Sequence, residues 1–168
     1  IRVGYIGGGT PSSLTTPQLD RLLAHVERHF GALSEFTVEA GRPDTLDAQK
    51  LRMLRDHPVT RISINPQTMN DATLARIGRA HTAKQTVEAY ELARSIGFDD
   101  INMDVIAALP GEDYAMFAHT LAEIRRLCPE SLTVHTLAIK RSSRLHEEKY
   151  AQAEQDVARM VALGRQTA

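Results

Sequence analysis

The stretch Val3-Gly4-Tyr5-Ile6-Gly7-Gly8-Gly9-Thr10-Pro11-Ser12 decides the fold prediction for this chain. A short apolar run stops at three consecutive glycines, and a helical pattern begins soon after them. Three glycines give up side-chain packing and cost backbone entropy, so their bare main chain must serve a purpose. Ligands of α/β sheets bind at the turns that follow the carboxyl ends of strands. We therefore interpret the stretch as a ligand-binding turn between a strand and a helix, with an ordinary glycine-rich loop as the alternative.

Strands and helices are predicted to alternate along the chain. The predicted strands cover 2–6, 36–39, 60–64, 101–108 and 131–139, and the predicted helices cover 17–30, 45–57, 70–77, 82–96, 117–128 and 145–163. The second helix is assigned an N-cap at Asp44 or Thr45. The fourth strand is mostly apolar and is predicted to be buried on both faces, as in a parallel sheet. Short connections between alternating strands and helices predict βαβ units within one α/β domain over 1–168.

The charge and composition of the chain exclude several classes of protein. The length of 168 residues is that of one domain, and a formal net charge of -1 gives no reason to expect a nucleic-acid partner. No apolar run is long enough for a membrane span. The single cysteine, Cys128, excludes a disulfide framework and is consistent with a cytoplasmic location; its place on an apolar helix face predicts a small core residue.

Polar residues or glycines stand at or near the ends of five predicted strands. They are Gly7 to Gly9, Glu39, Asn65 with Gln67, Asn102 with Asp104, and Lys140 with Arg141. In a barrel of parallel strands these ends share one mouth, where the active site lies, so a shared site is favoured. The alternatives are that Glu39 caps the next helix, that Asp104 bonds neighbouring backbone, and that Lys140 is solvated.

The residues at the predicted mouth suit an amino acid or nucleoside better than a phosphate. No Gly-Lys-Ser/Thr follows the glycines, and the third glycine of the dinucleotide fingerprint is missing. Glu39 and Asp104 could accept hydrogen bonds from ammonium or ribose hydroxyl groups, and Arg79 could pair with a carboxylate. For Arg79 a solvated surface position is the alternative. His81 and His135 have no partner fixed by the sequence, so for both a core or loop role is favoured over catalysis.

Six short motifs together resemble the radical S-adenosylmethionine enzymes. In chain order they are Ile6-Gly7-Gly8-Gly9-Thr10-Pro11-Ser12, Glu39, Ile64-Asn65-Pro66-Gln67, Gly78-Arg79-Ala80-His81-Thr82, Asn102-Met103-Asp104-Val105-Ile106 and Leu109-Pro110-Gly111-Glu112. Within that family the chain resembles the oxygen-independent coproporphyrinogen III oxidase-like branch. Two further segments, Val38-Glu39-Ala40-Gly41-Arg42-Pro43-Asp44 and Val134-His135-Thr136-Leu137-Ala138-Ile139-Lys140-Arg141, look like its coproporphyrinogen dehydrogenase-like subgroup.

The resemblance implies a partial TIM-like (β/α) barrel, with this chain supplying roughly strands two to six of the family's six. It also implies S-adenosylmethionine as a cofactor. By the resemblance, the methionine amino group would be held by Gly7, Gly8, Gly9 and Thr10, and the methionine carboxylate by Arg79. The ribose would be held by Gln67 and Asp104, with Glu39 close by. The adenine would lie beside Ile106 and Ala138.

The chain departs from the family pattern in one respect. Such enzymes carry a Cys-x3-Cys-x2-Cys loop that holds a [4Fe-4S] cluster, whereas this chain has one cysteine. We therefore expect the chain to be a piece of a larger protein. This piece would lack the cluster loop and a C-terminal region. We expect no metal ligand in it and no catalysis by it alone, because the cofactor carries the difficult chemistry.

The implied reaction is the oxidative decarboxylation of porphyrinogen propionates to vinyl groups, begun by a 5′-deoxyadenosyl radical. It requires an electron donor for the cluster, and Lys140 and Arg141 could attract substrate carboxylates. The first strand of the chain is expected to leave an open edge that invites self-association.

Three alternatives remain open. The first is a radical S-adenosylmethionine enzyme with another substrate, and the second is a haem-binding or haem-delivering protein on the same scaffold. The third is a plain α/β binding module.

Overall fold

The chain forms one parallel sheet of five strands whose spatial order follows their order in the sequence. The computed structural model describes residues 1–137 and 154–167. The strands are β1 (Val3–Ile6), β2 (Glu35–Glu39), β3 (Arg61–Gln67), β4 (Ile101–Ala107) and β5 (Ser131–Thr136). Each strand pairs in parallel with the next, and the sheet curls into a half-barrel. The predicted α/β fold with a partial TIM-like barrel is confirmed.

Helices connect successive strands and return the chain to the amino edge of the sheet. They are α1 (Thr16–Phe30), α2 (Ala48–Asp56), α3 (Asp71–Arg76), α4 (Ala83–Ile96), α5 (Tyr114–Leu127) and α6 (Glu154–Thr167). Local sequence explains the starts of two of them. The Thr15 amide donates to Gln18 Oε1 at 3.0 Å before α1, and the Thr82 amide donates to Gln85 Oε1 at 2.8 Å before α4. Both are capping interactions that satisfy a free amide at a helix start.

The predicted bounds of three elements were wrong. The second helix has its N-cap at Asp47, whose Oδ1 accepts the Lys50 amide at 2.7 Å, because Pro43–Thr45 forms a separate 3₁₀ turn. Strand β3 does not end at Asn65 but continues to Gln67 through an irregularity in its pairing with β4. Proline is tolerated at such irregularities because no ladder hydrogen bond is required of it there. The last helix ends at Thr167 instead of near residue 163.

The two faces of the sheet differ in polarity. The outer positions of β4 are fully buried, whereas Asn102, Asp104 and Ile106 are half-buried on the inner face. The prediction that this strand is buried on both faces was therefore wrong, because the helices pack on the outer face alone within the described residues. The outer face contributes the centre of the core: Phe36, Val38, Ile62, Ile64, Ile101 and Met103.

Cys128 is exposed, which contradicts its predicted place in the core. It ends α5 in the left-handed conformation, with φ of 57°, and its amide donates to the Ile124 carbonyl at 3.1 Å. A C-cap residue leaves the helical path, so the spacing that places Ile124 in the core does not extend to it. Because α5 runs back to the start of β5, Cys128 lies at the amino edge of the sheet.

None of the helices in the described part of the chain is long and apolar enough to cross a membrane.

A histidine contact between α1 and the end of α2 gives the fold a pH-dependent element. His57 Nε2 lies 3.0 Å from Asp20 Oδ1, and its Nδ1 contacts Glu27 Oε1. Burial alone would lower the pKa of His57, but the hydrogen bonds to the two carboxylates raise it above its ordinary value of 6.5. The stabilisation is therefore fully present below that value and is lost as the pH rises through the raised pKa.

We predict that His57→Gln removes this pH dependence. The difference in unfolding free energy between the unsubstituted chain and His57→Gln should be largest near pH 6 and should shrink as the pH rises. Urea denaturation at several pH values measures it. His119→Gln, at an exposed position on α5, is the matched control and should leave the pH dependence unchanged. A difference that does not vary with pH would contradict the assignment.

Candidate functional site

The glycine turn after β1 is held by the carboxylate of Glu39 at the end of β2. The Gly8 amide donates to Glu39 Oε2 at 3.2 Å, and the Thr10 amide donates to the Gly8 carbonyl at 2.9 Å. Gly8 has φ of 115° and Thr10 has φ of 60°, so the chain reverses sharply here. The β1 turn and the end of β2 are thus joined into one surface at the carboxyl edge of the sheet.

The three glycines serve different purposes. A Cβ at Gly7 would collide with the Tyr5 ring and approach Glu39 Oε2 to 2.9 Å, so a larger residue there would require these side chains to move. A Cβ at Gly8 or Gly9 would meet nothing within 4 Å. Open space therefore faces the turn beyond Gly7, as a ligand-binding turn requires.

Glu39 connects three strands and does not cap the following helix. Its Oε1 accepts from Asn65 Nδ2 at 3.2 Å, and its Oε2 lies 3.4 Å from the donating Tyr5 hydroxyl. Burial raises the pKa of Tyr5, and the negative charges of Glu39 and Asp104 raise it further. Tyr5 therefore remains a protonated donor to Glu39 at neutral pH.

The end of β3 is fixed by a buried histidine. His81 Nε2 lies 3.2 Å from the Pro66 carbonyl, next to Gln67, which is buried and adopts φ of 67°. Burial lowers the pKa of His81, so the ring is neutral and Nε2 donates. Its Nδ1 lies 3.7 Å from Asp44 Oδ1 and makes no hydrogen bond within the described residues. The favoured role of His81 as a core histidine agrees with this position, although only one of its nitrogens is satisfied.

Arg79 is a half-buried cation beside this strand end. Its guanidinium makes no hydrogen bond or ion pair with the residues that the structure describes, whereas neighbouring Arg42 pairs with Asp44 at 2.9 Å. Burial lowers the pKa of Arg79 and the charge of Arg42 lowers it further, while Asp44 and Glu39 act in the opposite direction. A partly buried charge without a partner is costly, so this position is suited to an anionic ligand.

The inner face of β4 presents Asp104 and Ile106 towards β5. Asp104 Oδ1 accepts from Asn102 Nδ2 at 2.6 Å, and Asp104 Oδ2 lies 3.8 Å from His135 Nε2. His135 is the register partner of Ile106, and its side chain is 54% exposed. His135 therefore lies on the open inner face, and it has an acidic neighbour that the sequence did not reveal.

Sequence reasoning missed the anchoring role of a buried carboxylate, Glu112, that joins the loops after β3 and β4. Glu112 Oε1 accepts from the Thr68 hydroxyl and from Asn70 Nδ2, the latter at 2.9 Å. Thr120 on α5 bonds the same amide nitrogen and the Met69 amide. Burial raises the pKa of Glu112, and the hydrogen bonds from Thr68 and Asn70 act in the opposite direction. The only sequence signal was an acid directly after the Pro-Gly turn.

The predicted site residues in the described part of the chain lie at one edge of the sheet or face its inner side. They are Gly7, Gly8, Gly9, Thr10, Glu39, Gln67, Arg79, Asp104 and Ile106. Ala138, Lys140 and Arg141 lie outside the described residues. The roles assigned to all of these residues remain predictions.

The residues present do not fit an iron–sulfur cluster. The chain has one cysteine, which lies at the opposite edge of the sheet. Within residues 1–137 and 154–167, no group of three or more His, Cys, Asp or Glu side chains could hold a metal ion. A cluster held by three thiolates therefore cannot be built from the residues of this chain alone.

Comparison with known proteins identifies the family. The model of the Radical SAM superfamily matches residues 1–124. The chain is 48% identical over 149 residues to the "oxygen-independent coproporphyrinogen-III oxidase-like protein HemZ" of Bacillus subtilis, covering 87% of this chain and 30% of that protein. It is 39% identical over 143 residues to the "heme chaperone HemW" of the same organism, covering 83% of this chain and 38% of that protein.

A solved structure has the same fold. The coproporphyrinogen III oxidase HemN of Escherichia coli, described as a radical SAM enzyme, aligns with a TM-score of 0.85 and 25% identity. The alignment covers 99% of this chain and 41% of that protein. The chain thus spans about a third of the length of the curated relatives described above, 30% and 38%.

We predict that Gly7→Ala destabilises the turn by about 0.5–1.5 kcal/mol, the usual contribution of one hydrogen bond, because the exposed Tyr5 ring can move aside. The new methyl group would displace the Tyr5 ring and Glu39, which weakens the bond to the Gly8 amide. Urea denaturation gives the free energy, and hydrogen exchange reports on the Gly8 amide.

Two further variants make the Gly7 prediction specific. Gly9→Ala is the matched control, because nothing lies within 4 Å of its Cβ. Tyr5→Ala should recover part of the loss caused by Gly7→Ala, since it removes the colliding ring. Equal destabilisation by the Gly7 and Gly9 variants would refute the packing argument.

Proposed function

The chain belongs to the radical SAM superfamily, and we propose that it binds S-adenosylmethionine across the carboxyl ends of β1 to β4. The family uses S-adenosylmethionine together with a [4Fe-4S] cluster. One observation carries the proposal: the half-buried Arg79 guanidinium has no partner among the described residues. The open space that the turn faces beyond Gly7 agrees with it. These features suit the carboxylate and ammonium ends of a zwitterion, respectively.

The backbone of the glycine turn would receive the methionine amino group. An ammonium group donates hydrogen bonds and therefore needs acceptors. The Gly8 amide is already bonded to Glu39, so the ammonium group would bond carbonyl oxygens of the turn. The Gly8 and Thr10 carbonyls each accept one backbone amide and would use their second lone pair. Arg79 would pair with the methionine carboxylate by a charge-assisted bond, and its planar guanidinium allows a two-pronged geometry.

The ribose and adenine would lie towards β3 and β4. Gln67 offers an amide at the end of β3, and Asp104 offers a carboxylate on the inner face of β4. Both can accept hydrogen bonds from ribose hydroxyl groups. Ile106 is the apolar residue on the same inner face and would contact the adenine. Ala138 is assigned to the adenine by the family resemblance alone.

The longer protein would oxidise a porphyrinogen, as the relatives' names suggest. In that reaction each reacting propionate would give a hydrogen atom to the 5′-deoxyadenosyl radical and one electron to an acceptor outside this chain, and it would lose carbon dioxide to become a vinyl group. S-adenosylmethionine and the cluster would supply the chemistry, whereas this chain's residues bind and orient. Lys140 and Arg141 would attract the propionate carboxylates.

Haem handling is the second candidate function. It is favoured by the 39% identity to a protein named heme chaperone. A haem carrier on this scaffold would bind haem through its propionates or iron without decarboxylating them. The two functions therefore differ in whether the tetrapyrrole leaves the protein chemically changed.

We predict that a protein carrying this chain together with a three-cysteine cluster loop converts coproporphyrinogen III to vinyl products. Anaerobic incubation with S-adenosylmethionine and a reductant, followed by chromatography of the oxidised porphyrins, measures the conversion. Transfer of haem to an acceptor protein without any vinyl product would contradict the oxidase and support the haem carrier.

We predict that Arg79→Met weakens binding of S-adenosylmethionine by roughly 10- to 100-fold, because a hydrogen bond between charged groups contributes about 1.5–3 kcal/mol. Isothermal titration calorimetry measures the dissociation constant. Arg76→Met is the matched control, since Arg76 is an exposed arginine on α3.

A second ligand tests the assigned role of Arg79. Methylthioadenosine keeps the nucleoside but lacks the amino acid, so its affinity should be unchanged in Arg79→Met. An equal loss for both ligands would show that Arg79 does not act on the carboxylate.

A further inference from the structure

Four polar residues form one row across the inner face of the sheet. Glu39 is the register partner of Ser63, Ser63 of Asn102, and Asn102 of Ser131. The row therefore crosses β2 to β5 at a single height. Side chains at paired positions of neighbouring strands lie close enough to interact. The row connects the two carboxylates of the candidate site, Glu39 and Asp104, and no assigned role explains it.

Asn102 is the centre of this row because all its amide atoms are engaged. Its Nδ2 donates to Asp104 Oδ1 at 2.6 Å and to Ser63 Oγ at 3.0 Å. Its Oδ1 accepts from Ser131 Oγ at 3.0 Å and from Thr133 Oγ1 at 3.1 Å. The carboxylate of Asp104 can only accept, which fixes the orientation of the amide. In each of these hydrogen bonds the donor and the acceptor are therefore fixed.

From Asn102 the hydrogen bonds continue in the same direction of donation as far as Glu39, which also accepts from the glycine turn. Ser63 Oγ donates to Asn65 Oδ1 at 2.7 Å, and Asn65 Nδ2 donates to Glu39 Oε1 at 3.2 Å. Glu39 Oε2 then accepts the Gly8 amide at 3.2 Å. The bonds from Ser131 and Thr133 through Asn102, Ser63 and Asn65 to Glu39 are donated in one direction and polarise one another, whereas Asn102 Nδ2 also donates sideways to Asp104.

We propose that Asn102 is a positioning residue that fixes the positions of the Asp104 and Glu39 carboxylates. It acts through a hydrogen-bond relay, which runs from Ser131 and Thr133 through Asn102, Ser63 and Asn65 to Glu39. The relay itself rests on the contacts above. Its effect on S-adenosylmethionine rests on the proposed function. In this role Asn102 holds Asp104 directly and holds the glycine turn through Glu39. Loss of its amide removes the direct bond to Asp104 and the support that Ser63 and Asn65 pass on to Glu39.

The burial of the relay supports a positioning role over a purely structural one. Ser63 and Asn65 are buried, whereas Asn102 and Asp104 are half-buried beside a cavity of about 270 Å³ on the inner face. A network that only stabilised the sheet would have no need to end on a ligand-facing turn. This one joins Asp104, the residue assigned to the ribose, to the turn assigned to the amino group.

The first test compares one variant with a matched control. Asn102→Ala removes both donors, and the dissociation constant of S-adenosylmethionine should rise on the order of tenfold. Thr37→Val is the control, because Thr37 lines the same cavity but belongs to no bond of the relay. Equal losses in Asn102→Ala and Thr37→Val would overturn the proposal. So would an unchanged dissociation constant in Asn102→Ala.

The second test measures how the affinity depends on pH, which a merely structural role of Asn102 would not change. Asn102→Asp keeps the acceptor for Ser131 and Thr133 but places a carboxylate beside Asp104. Two adjacent carboxylates share a proton at a raised pH, and the shared proton restores a donor to Asp104. Affinity in this variant should therefore partly recover as the pH falls towards about 5. No such recovery is expected in Asn102→Ala, and its absence in Asn102→Asp would count against the relay.

Other titratable groups near Asn102 are common to all variants. Glu35, Arg61, Asp104 and His135 line the cavity together with Tyr5, and Glu39 lies at the end of the relay. Each variant is therefore compared with the unsubstituted protein at the same pH, so that these groups contribute equally to both measurements.

The third test separates the relay from the proposed function. Hydrogen exchange of the Gly8 amide needs no ligand, and it should be faster in Asn102→Ala than in the unsubstituted protein. Asn65→Ala should have the same effect, and the double variant should be no faster than either alone. If the unsubstituted protein bound no S-adenosylmethionine while Gly8 exchange responded in this way, the proposed function would fail and the relay would stand. Unaltered Gly8 exchange in Asn102→Ala would refute the relay itself.

Discussion

Packing of the helices against the outer face of the sheet is the constraint on which the site depends. It makes the outer strand positions apolar and fully buried, as at Ile62 and Met103. The inner positions carry polar side chains because the described helices do not cover them, as at Ser63 and Asn102. In a parallel sheet the inner face opens at the carboxyl ends of all strands together. The same alternation that builds the core therefore places Glu39 and Asp104 on one surface.

Two buried contacts keep the loops at that surface in place. His81 bonds the Pro66 carbonyl where the pairing of β3 becomes irregular, and this supports the left-handed conformation of Gln67. Glu112 joins the loop after β4 to Asn70 in the loop after β3. A residue other than glycine keeps a left-handed conformation only where several surrounding contacts enforce it. The strain at Gln67 is thus offset by these buried hydrogen bonds, which lie outside the sheet.

Local signals predicted the elements, whereas the hydrogen-bond partners depend on pairing between distant strands. The caps at Thr15 and Thr82 and the polar residues at strand ends could be seen in the sequence because each signal spans a few residues. The exposure of Cys128 could not, because helical spacing continues formally past the point where the helix ends. The relay through Asn102 requires the register of four strands, and a single sequence gives no information on register beyond the alternation of each strand.

The contact between Glu39 and Gly8 explains why a glycine-rich turn of this kind does not serve a phosphate. A phosphate-binding turn directs free amides at its ligand. Here the amide of Gly8 is bonded to Glu39 Oε2, and the left-handed conformation of Gly8 and Thr10 reverses the chain around that bond. An acidic side chain beside the turn also repels anions, so in the proposed function the anionic end of the ligand would lie near Arg79. The turn and the arginine would then complement opposite ends of a zwitterion, and Glu39 would determine which end binds at the turn.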